Sequence, residues 1–451
     1  MEDAEVLELY ELNYSDIMIL SSTNPSSSSP EELEKIELMT RTVMETLGPR
    51  GPGLLAITGV PNASELREEL LPLARKLALL DHESRKRILK EHNLGSDVPL
   101  KNPGRSVSSF AMQLRYSDDR ESTESKQASG VGHSLHPEEN NHDFEESCNK
   151  EFKNLGSTFR ELGFCMMELG LRLAQICDKA IGGNELEQSL LESYAAKGRL
   201  IHYHSLLDGL LLKEVDRSRS CSKKANNNKR DQDYLSSRQK PSESSNACDV
   251  KSSGIHSNLW QQWHYDYGIF TVLTAPLFLL PSYSLTTETE ESCVEKCSSP
   301  IGHTCLQIFD PNQNKILMAK APPESFIIQV GESADIISKG KLCSTLHSVS
   351  RPTKLESLSR ETFVVFLQPA WNKTFSISDY PQTNWMFEKQ CLVTSEKELQ
   401  LGRDECKPSQ EIQRIVPPLS SRLKDGMTFA EFSKETTKQY YGGSGLQSNR
   451  C

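Results

Sequence analysis

Three stretches of the chain set side chains that can bind a metal ion and an anion at the spacing of β-strands. In "WQQWHYDYGIFTVL", residues 260–273, a histidine and an aspartate stand two apart. Alternate residues of a strand project to one face, so His264 and Asp266 are expected to point inward together while Trp263, Tyr265 and Tyr267 pack on the outer side. A third ligand is offered by His347 in "CSTLHSVSRP", at the end of another predicted strand. Two imidazoles and one carboxylate on one side of an octahedral ion leave three positions open, a donor set suited to Fe(II) that must also take up small ligands. The alternative is that the three residues simply hydrogen-bond to one another inside a barrel.

The strand "SRETFVVFLQP", residues 359–369, puts Arg360, Thr362, Val364 and Phe366 on one face. A buried guanidinium demands an anionic partner, because an unpaired buried charge is very costly. No acidic residue falls on that face, and a bound dicarboxylate would satisfy Arg360 through paired, charge-assisted hydrogen bonds.

The elements that must position these residues come in two blocks. The first is helical. "SSSSPEELEKIELMTRTVMETLG" predicts a helix with Ser29 as N-cap and Pro30 at the first helical position. The apolar strand "LLAITGV" and a leucine-rich helix capped by Asn62 or Ser64 follow. A stripe through Phe152, Leu155, Phe159, Leu162, Cys165, Met166, Leu169, Leu173 and Ile176 predicts a long helix ended by Gly182-Gly183, and is read as core packing. From Gly198 the pattern turns to strands, beginning with "RLIHYHSLL" and continuing through "CLQIFDP", "ILMAKAP" and "SFIIQVG". Helices first and strands afterwards predict an α+β chain whose second half is a β-barrel or jelly roll. Residues 115–146 read as a polar loop, and two insertions near 213–255 and 281–302 read as disordered. The segment "TFAEFSKETTKQYYGG" predicts a C-terminal helix near the barrel mouth.

With 51 basic against 62 acidic residues the net charge is −11, which argues against a chain held to nucleic acid by its overall field. Residues 1–25 lack a basic leader followed by an apolar run, and no stretch approaches the roughly 18 apolar residues of a membrane span. A soluble monomer, cytoplasmic or in part nuclear, with no membrane partner, is expected. The twelve cysteines form no regular framework.

Other constellations compete. His136 and Glu138 lie in the polar loop and read as solvated. His202 and His204, two apart, could act together as ligands, and otherwise read as hydrogen-bonded barrel residues. Cys293, Cys297, His303 and Cys305 could clip a zinc ion, although their spacing lacks a compact knuckle.

Taken together, "WHYDYGIFTVL", "SFIIQVGESADIISKGKLCSTLHSVSRP" and "RETFVVFLQP" resemble the Fe(II)/2-oxoglutarate-dependent dioxygenases, and within them the isopenicillin N synthase-like group. Gly331 and Gly340 match that family's turn glycines, and Thr362 stands where it has serine. The resemblance runs over roughly residues 5–375. It implies a distorted double-stranded β-helix of the jelly-roll, cupin-like kind behind a helical N-terminal domain. It assigns 1–193 to the helical domain, 194–380 to the barrel and 381–451 to a C-terminal extension. It further implies that His264, Asp266 and His347 bind iron, and that Arg360, Thr362 and Tyr203 hold the far carboxylate of 2-oxoglutarate. The implied activity is oxidation, by default hydroxylation, of a small organic molecule with dioxygen as cosubstrate and release of succinate and CO2. The competing expectation is a jelly-roll protein that binds metal or ligand without turnover and uses its inserted loops for protein contacts.

Overall fold

The computed structural model describes residues 5–22, 29–97, 100, 105–115, 150–214, 258–281, 294–297, 299, 301–378, 380, 412 and 414–441. The predicted polar loop from 116 and nearly all of the first insertion lie outside these residues. The second insertion does so in part. Its residues Val294–Cys297 form strand β10, paired antiparallel with β9, Leu277–Pro281.

Helix termini follow local chemistry. Pro30–Leu47 begins with a capping box, in which Ser29 Oγ accepts from Glu32 N and the Glu32 carboxylate accepts from Ser29 N. Leu155–Ile181 ends on Gly182 at φ +88°, a left-handed position that costs glycine little. Its predicted stripe is buried apart from Cys165, which is half-buried, and Phe152 is buried just ahead of the helix. The helix Tyr14–Ser21 was not expected from the sequence; Asn13 caps it by accepting from Ser15 N.

Two sheets lie beneath the helices. The larger has ten strands: β9 and β10 join β2 (Glu11–Asn13), β3 (Leu54–Thr58), β4 (Gly95–Ser96), β5 (Val107–Arg115), β6 (Ala195–Tyr203), β8 (Phe270–Thr274), β13 (Phe326–Val330) and β15 (Ser359–Leu367). The smaller has five, in the order β1 (Glu5–Glu8), β12 (Lys315–Lys320), β11 (Leu306–Asp310), β14 (His347–Ser350) and β7 (Leu259–His264). Strand alternation divides the apolar residues between two cores. From β15, Phe363, Val365 and Leu367 join the helix-side core with Phe159 and Leu169, while Val364 joins Leu306, Ile308 and Val349 between the sheets. The order is therefore helices, large sheet, small sheet. Phe110, Met112, Phe270 and Val272 also belong to the helix-side core.

The short helix Glu332–Ile337 and the C-terminal segment lock together. Arg422, itself 1% exposed, pairs with Glu332 at 2.6 Å. In the expected C-terminal helix, Phe429–Tyr441, Phe429 packs against Tyr267, Trp371 and Phe375. Asp335 accepts from the Tyr380 hydroxyl at 2.9 Å and from Ser344 N and Oγ at 3.0 Å. Burial nevertheless pushes its carboxyl up to about 6. Because this folded-state value lies above that of an unfolded aspartate, the group favours the fold most at pH below about 4 and loses that contribution as pH rises through 6. Asp335→Asn should flatten the dependence of urea stability on pH over that window; an unchanged slope would show that Asp335 is ionised at no cost.

Candidate metal centre

Strands β7 and β14 run antiparallel and place His264 directly opposite His347, with ring centroids 4.3 Å apart. Both rings are tied at the back. Nδ1–H of His264 donates to the carbonyl of Gln262 at 2.7 Å, and Nδ1–H of His347 donates to that of Thr345 at 3.0 Å. That tautomer leaves a lone pair on each Nε2, and each Nε2 stands 3.8 Å from one oxygen of Asp266. One ligand atom from each of the three residues lies within 4.8 Å of the others. First-row ions with bonds of about 2.1 Å hold neighbouring ligands roughly 3 Å apart, so small side-chain movements would close the set.

Asp266 reaches this position by a route that strand alternation did not predict. β7 ends at His264, and Asp266 lies in the following loop. The loop is gripped by backbone amides at the start of the helix Glu332–Ile337: Glu332 N donates to Asp266 O at 2.8 Å and Ser333 N to Gly268 O at 3.0 Å. Thr271 Oγ1 then donates to Asp266 Oδ2 at 2.7 Å and fixes the carboxylate. The approach needs glycine at 331, since a Cβ there would lie 2.3 Å from Gly268 O. Gly331→Ala should cost about 1–3 kcal/mol as an overpacked contact and should weaken metal binding with it. Isothermal titration with a divalent ion checks this, and unchanged affinity would mean that the loop does not set Asp266.

Electrostatics keep one imidazole neutral. Burial first, and His347 second, push His264 down to about 4. Its lone pair is thereby free of a proton at neutral pH.

The other predicted residues converge beside this centre. Arg360 and Tyr203 are register partners on β15 and β6, and the guanidinium lies 5.0 Å from the Tyr203 ring centroid. Arg360 is 1% exposed, and its Nε donates to Thr304 O at 3.0 Å. Among the described residues no carboxylate forms an ion pair with it. Thr362 is buried on the same strand, with Oγ1 donating to Thr274 O at 3.2 Å. The Tyr203 hydroxyl donates not toward an anion but to Gln261 Oε1 at 2.9 Å, and Gln261 Nε2 donates in turn to His264 Nε2 at 2.9 Å. Gln261 was not singled out from the sequence. It stands three residues before His264, and irregular register between β7 and β14 brings it alongside that histidine.

The outer-face assignment of the aromatic residues agrees with the packing. Trp263 is buried with Phe309, Leu346, Ile412 and Val416, and Tyr440 Oη accepts from Tyr265 N at 3.2 Å. The possible zinc clip is not assembled among the described residues: Cys305 N donates to His303 Nδ1 at 3.2 Å, and neither residue belongs to a metal-holding group. Cys293, like His136 and Glu138, lies outside the described residues.

No protein-family model and no curated protein matches the sequence. Among solved structures, the chain is similar to a full-length Neurospora crassa protein in complex with alpha-KG and 5-formyluracil, at 15% identity, TM-score 0.47, over 84% of this chain and 92% of that one. It is also similar to dioxygenase for auxin oxidation 1 from Arabidopsis thaliana in its 2-oxoglutarate complex, at 14% identity, TM-score 0.45, over 81% and 94% of the two chains. The rice dioxygenase for auxin oxidation is similar at 13% identity, TM-score 0.44, over 86% and 96%.

Proposed function

We propose that the chain is a dioxygenase dependent on Fe(II) and 2-oxoglutarate that oxidises, by default hydroxylates, a small organic molecule. The observation that carries this reading is the coincidence of two features. One is a centre in which two back-tethered histidines and one carboxylate converge. The other is a sealed arginine on the adjoining sheet with no carboxylate paired to it among the described residues. A site that only needed internal hydrogen bonds would have no use for the second.

In this reading His264, Asp266 and His347 hold the ion, and bound iron with 2-oxoglutarate supplies the oxidising chemistry, releasing succinate and CO2. The protein's part is positional. The Gln262 and Thr345 carbonyls fix the imidazole tautomers, and the Thr271 hydroxyl aims Asp266. An ion on His264 Nε2 would replace the hydrogen bond that Gln261 Nε2 makes to it, while the Gln261 amide oxygen accepts from the Tyr203 hydroxyl. Arg360 takes the far carboxylate of 2-oxoglutarate as a charge-assisted pair, with the Thr362 hydroxyl beside it. The Tyr203 ring lies against the guanidinium and excludes water from it.

The two sheets are read as the facing halves of a distorted double-stranded β-helix of the isopenicillin N synthase-like kind. In it, 1–193 form the helical domain, 194–380 the barrel and 381–451 an extension that braces the metal-bearing loop. A monomer working in the cytoplasm fits this reading. Among the described residues no helix is long and apolar enough to cross a membrane.

The test is succinate release from 2-oxoglutarate by the full chain with Fe(II) in air. Arg360→Leu should raise the KM for 2-oxoglutarate at least ~100-fold, as loss of a charged hydrogen-bond partner from a buried anion costs several kcal/mol. Metal binding without succinate would leave a non-catalytic binding protein, and an unchanged KM would remove Arg360 from the site.

A further inference from the structure

The strand pair β6 and β15 carries a second cluster on the face turned away from the proposed iron. Glu361 and His202 are register partners, one residue along from Arg360 and Tyr203, and therefore project to the helix side. There they meet His204 and Asp208, and Asp208 in turn pairs with Arg75 of the helix Ala63–Leu79 at 2.8 Å. His202, His204 and Asp208 are 0%, 1% and 0% exposed. One ligand atom from each lies within 4.8 Å of the others.

The outward ends of both imidazoles are already committed. His202 Nδ1–H donates to Glu361 Oε2 at 2.8 Å, and Glu361 is itself held by the Ser359 hydroxyl at 2.8 Å. His204 Nε2 lies 2.8 Å from Ser108 Oγ, which also accepts from Arg105 Nε at 2.8 Å. These bonds leave His204 Nδ1 buried without a hydrogen-bond partner, and His202 Nε2 buried facing Asp208 Oδ2 at 3.4 Å, outside good hydrogen-bond geometry. Asp208 is fixed in turn. Arg75 holds Oδ1 through Nε and Nη2, and Ser205 N and Oγ hold Oδ2 at 3.0 and 2.8 Å.

We propose that His202 Nε2, His204 Nδ1 and the Asp208 carboxylate, with water as the fourth donor, hold a divalent ion of the zinc class, as a structural site separate from the proposed iron. The 3.4 Å between His202 Nε2 and Asp208 Oδ2 is the separation that a tetrahedral ion imposes on its ligands, since bonds of about 2.0–2.1 Å at the tetrahedral angle put two donors roughly 3.4 Å apart. The chain of Glu361, His202 and ion is a carboxylate–histidine–metal relay, and Ser108 plays the same orienting part behind His204. A proton is the competing occupant. Placed on His202 Nε2, it would satisfy Asp208 but leave His204 Nδ1 bare, whereas one ion engages both nitrogens. Such an ion would pin the end of β6 to the helix layer directly behind Tyr203.

Because the ligands are sealed, the ion enters as the chain folds, and the measurement is made on full-length protein grown with supplementary zinc. The double variant His264→Ala/His347→Ala removes the proposed iron centre, so its metal content reports on this site whether or not the dioxygenase reading holds. After exhaustive dialysis it should retain close to one zinc per chain, and protein grown with cobalt should show the intense visible bands of a four-coordinate ion. Adding His204→Gln should lower the metal content at least tenfold. Less than a tenth of an equivalent in the double variant, or zinc retained after His204→Gln, overturns the site. If the His204 variant does not fold, the cobalt spectrum of the double variant decides alone: four-coordinate bands support the site, and their absence overturns it.

Discussion

Replacing His347 with alanine should abolish iron retention and lower 2-oxoglutarate-dependent succinate release by more than ~100-fold, because altering even an outer partner of a metal ligand commonly costs 10–100-fold. In the proposed centre His347 would supply one of two nitrogens, and its register partner His264 would be left with Asp266 alone. The fold should survive, since the hydrogen bond lost is one to the Thr345 carbonyl, just ahead of β14. A change in unfolding free energy of about 1 kcal/mol is expected. Iron content and succinate yield, read beside a melting curve, separate the two effects. Full activity in a folded His347→Ala protein would take that residue out of the centre.

The largest effect on stability should come from Arg422→Ala. Arg422 Nη1 and Nη2 donate to the two oxygens of Glu332 at 2.7 and 2.6 Å, and Nε donates to Pro417 O at 3.0 Å. Glu332 is 2% exposed, so truncation strands a carboxylate in the interior. Breaking a buried pair from one side costs about 3–5 kcal/mol. Urea denaturation should show a midpoint shift of that size. Combining Arg422→Met with Glu332→Gln should recover much of it, because no unpaired charge remains. The loss should also reach the metal centre, since Glu332 N donates to Asp266 O, and the Tyr440 hydroxyl accepts from the amide between the two candidate ligands. A shift of under 1 kcal/mol would show that the C-terminal segment merely rests on the sheets.

What could be read in the sequence was what lies on regular elements. Arg360 and Thr362 sit on a strand whose alternation is intact, so their shared face followed from residue parity, whereas the pairing next to His264 and His347 is irregular. The cap at Ser29 and the stop at Gly182 were equally local. Asp266 fell in the right place for a different reason from the one parity supplied: it is past the strand end and depends on amides more than sixty residues further along the chain. Gln261 was hidden by irregular strand pairing, which breaks the period on which such reading depends. The tie between Arg422 and Glu332 was hidden by distance, because nothing in a run of sequence says which buried carboxylate a remote arginine will meet. His202 and His204 were visible as a pair, and Asp208 stands only four residues beyond them, but their partner Glu361 belongs to another strand and emerges only with the sheet register.

The central claim is that His264, Asp266 and His347 hold iron beside an anion site at Arg360. Anaerobic titration of the full chain with Fe(II) and then 2-oxoglutarate tests it most directly. A visible metal-to-ligand charge-transfer band should appear only when both are present, should be lost in His264→Ala, and should require far more 2-oxoglutarate in Arg360→Leu. No band in the unaltered protein, or an identical band in His264→Ala, would contradict it.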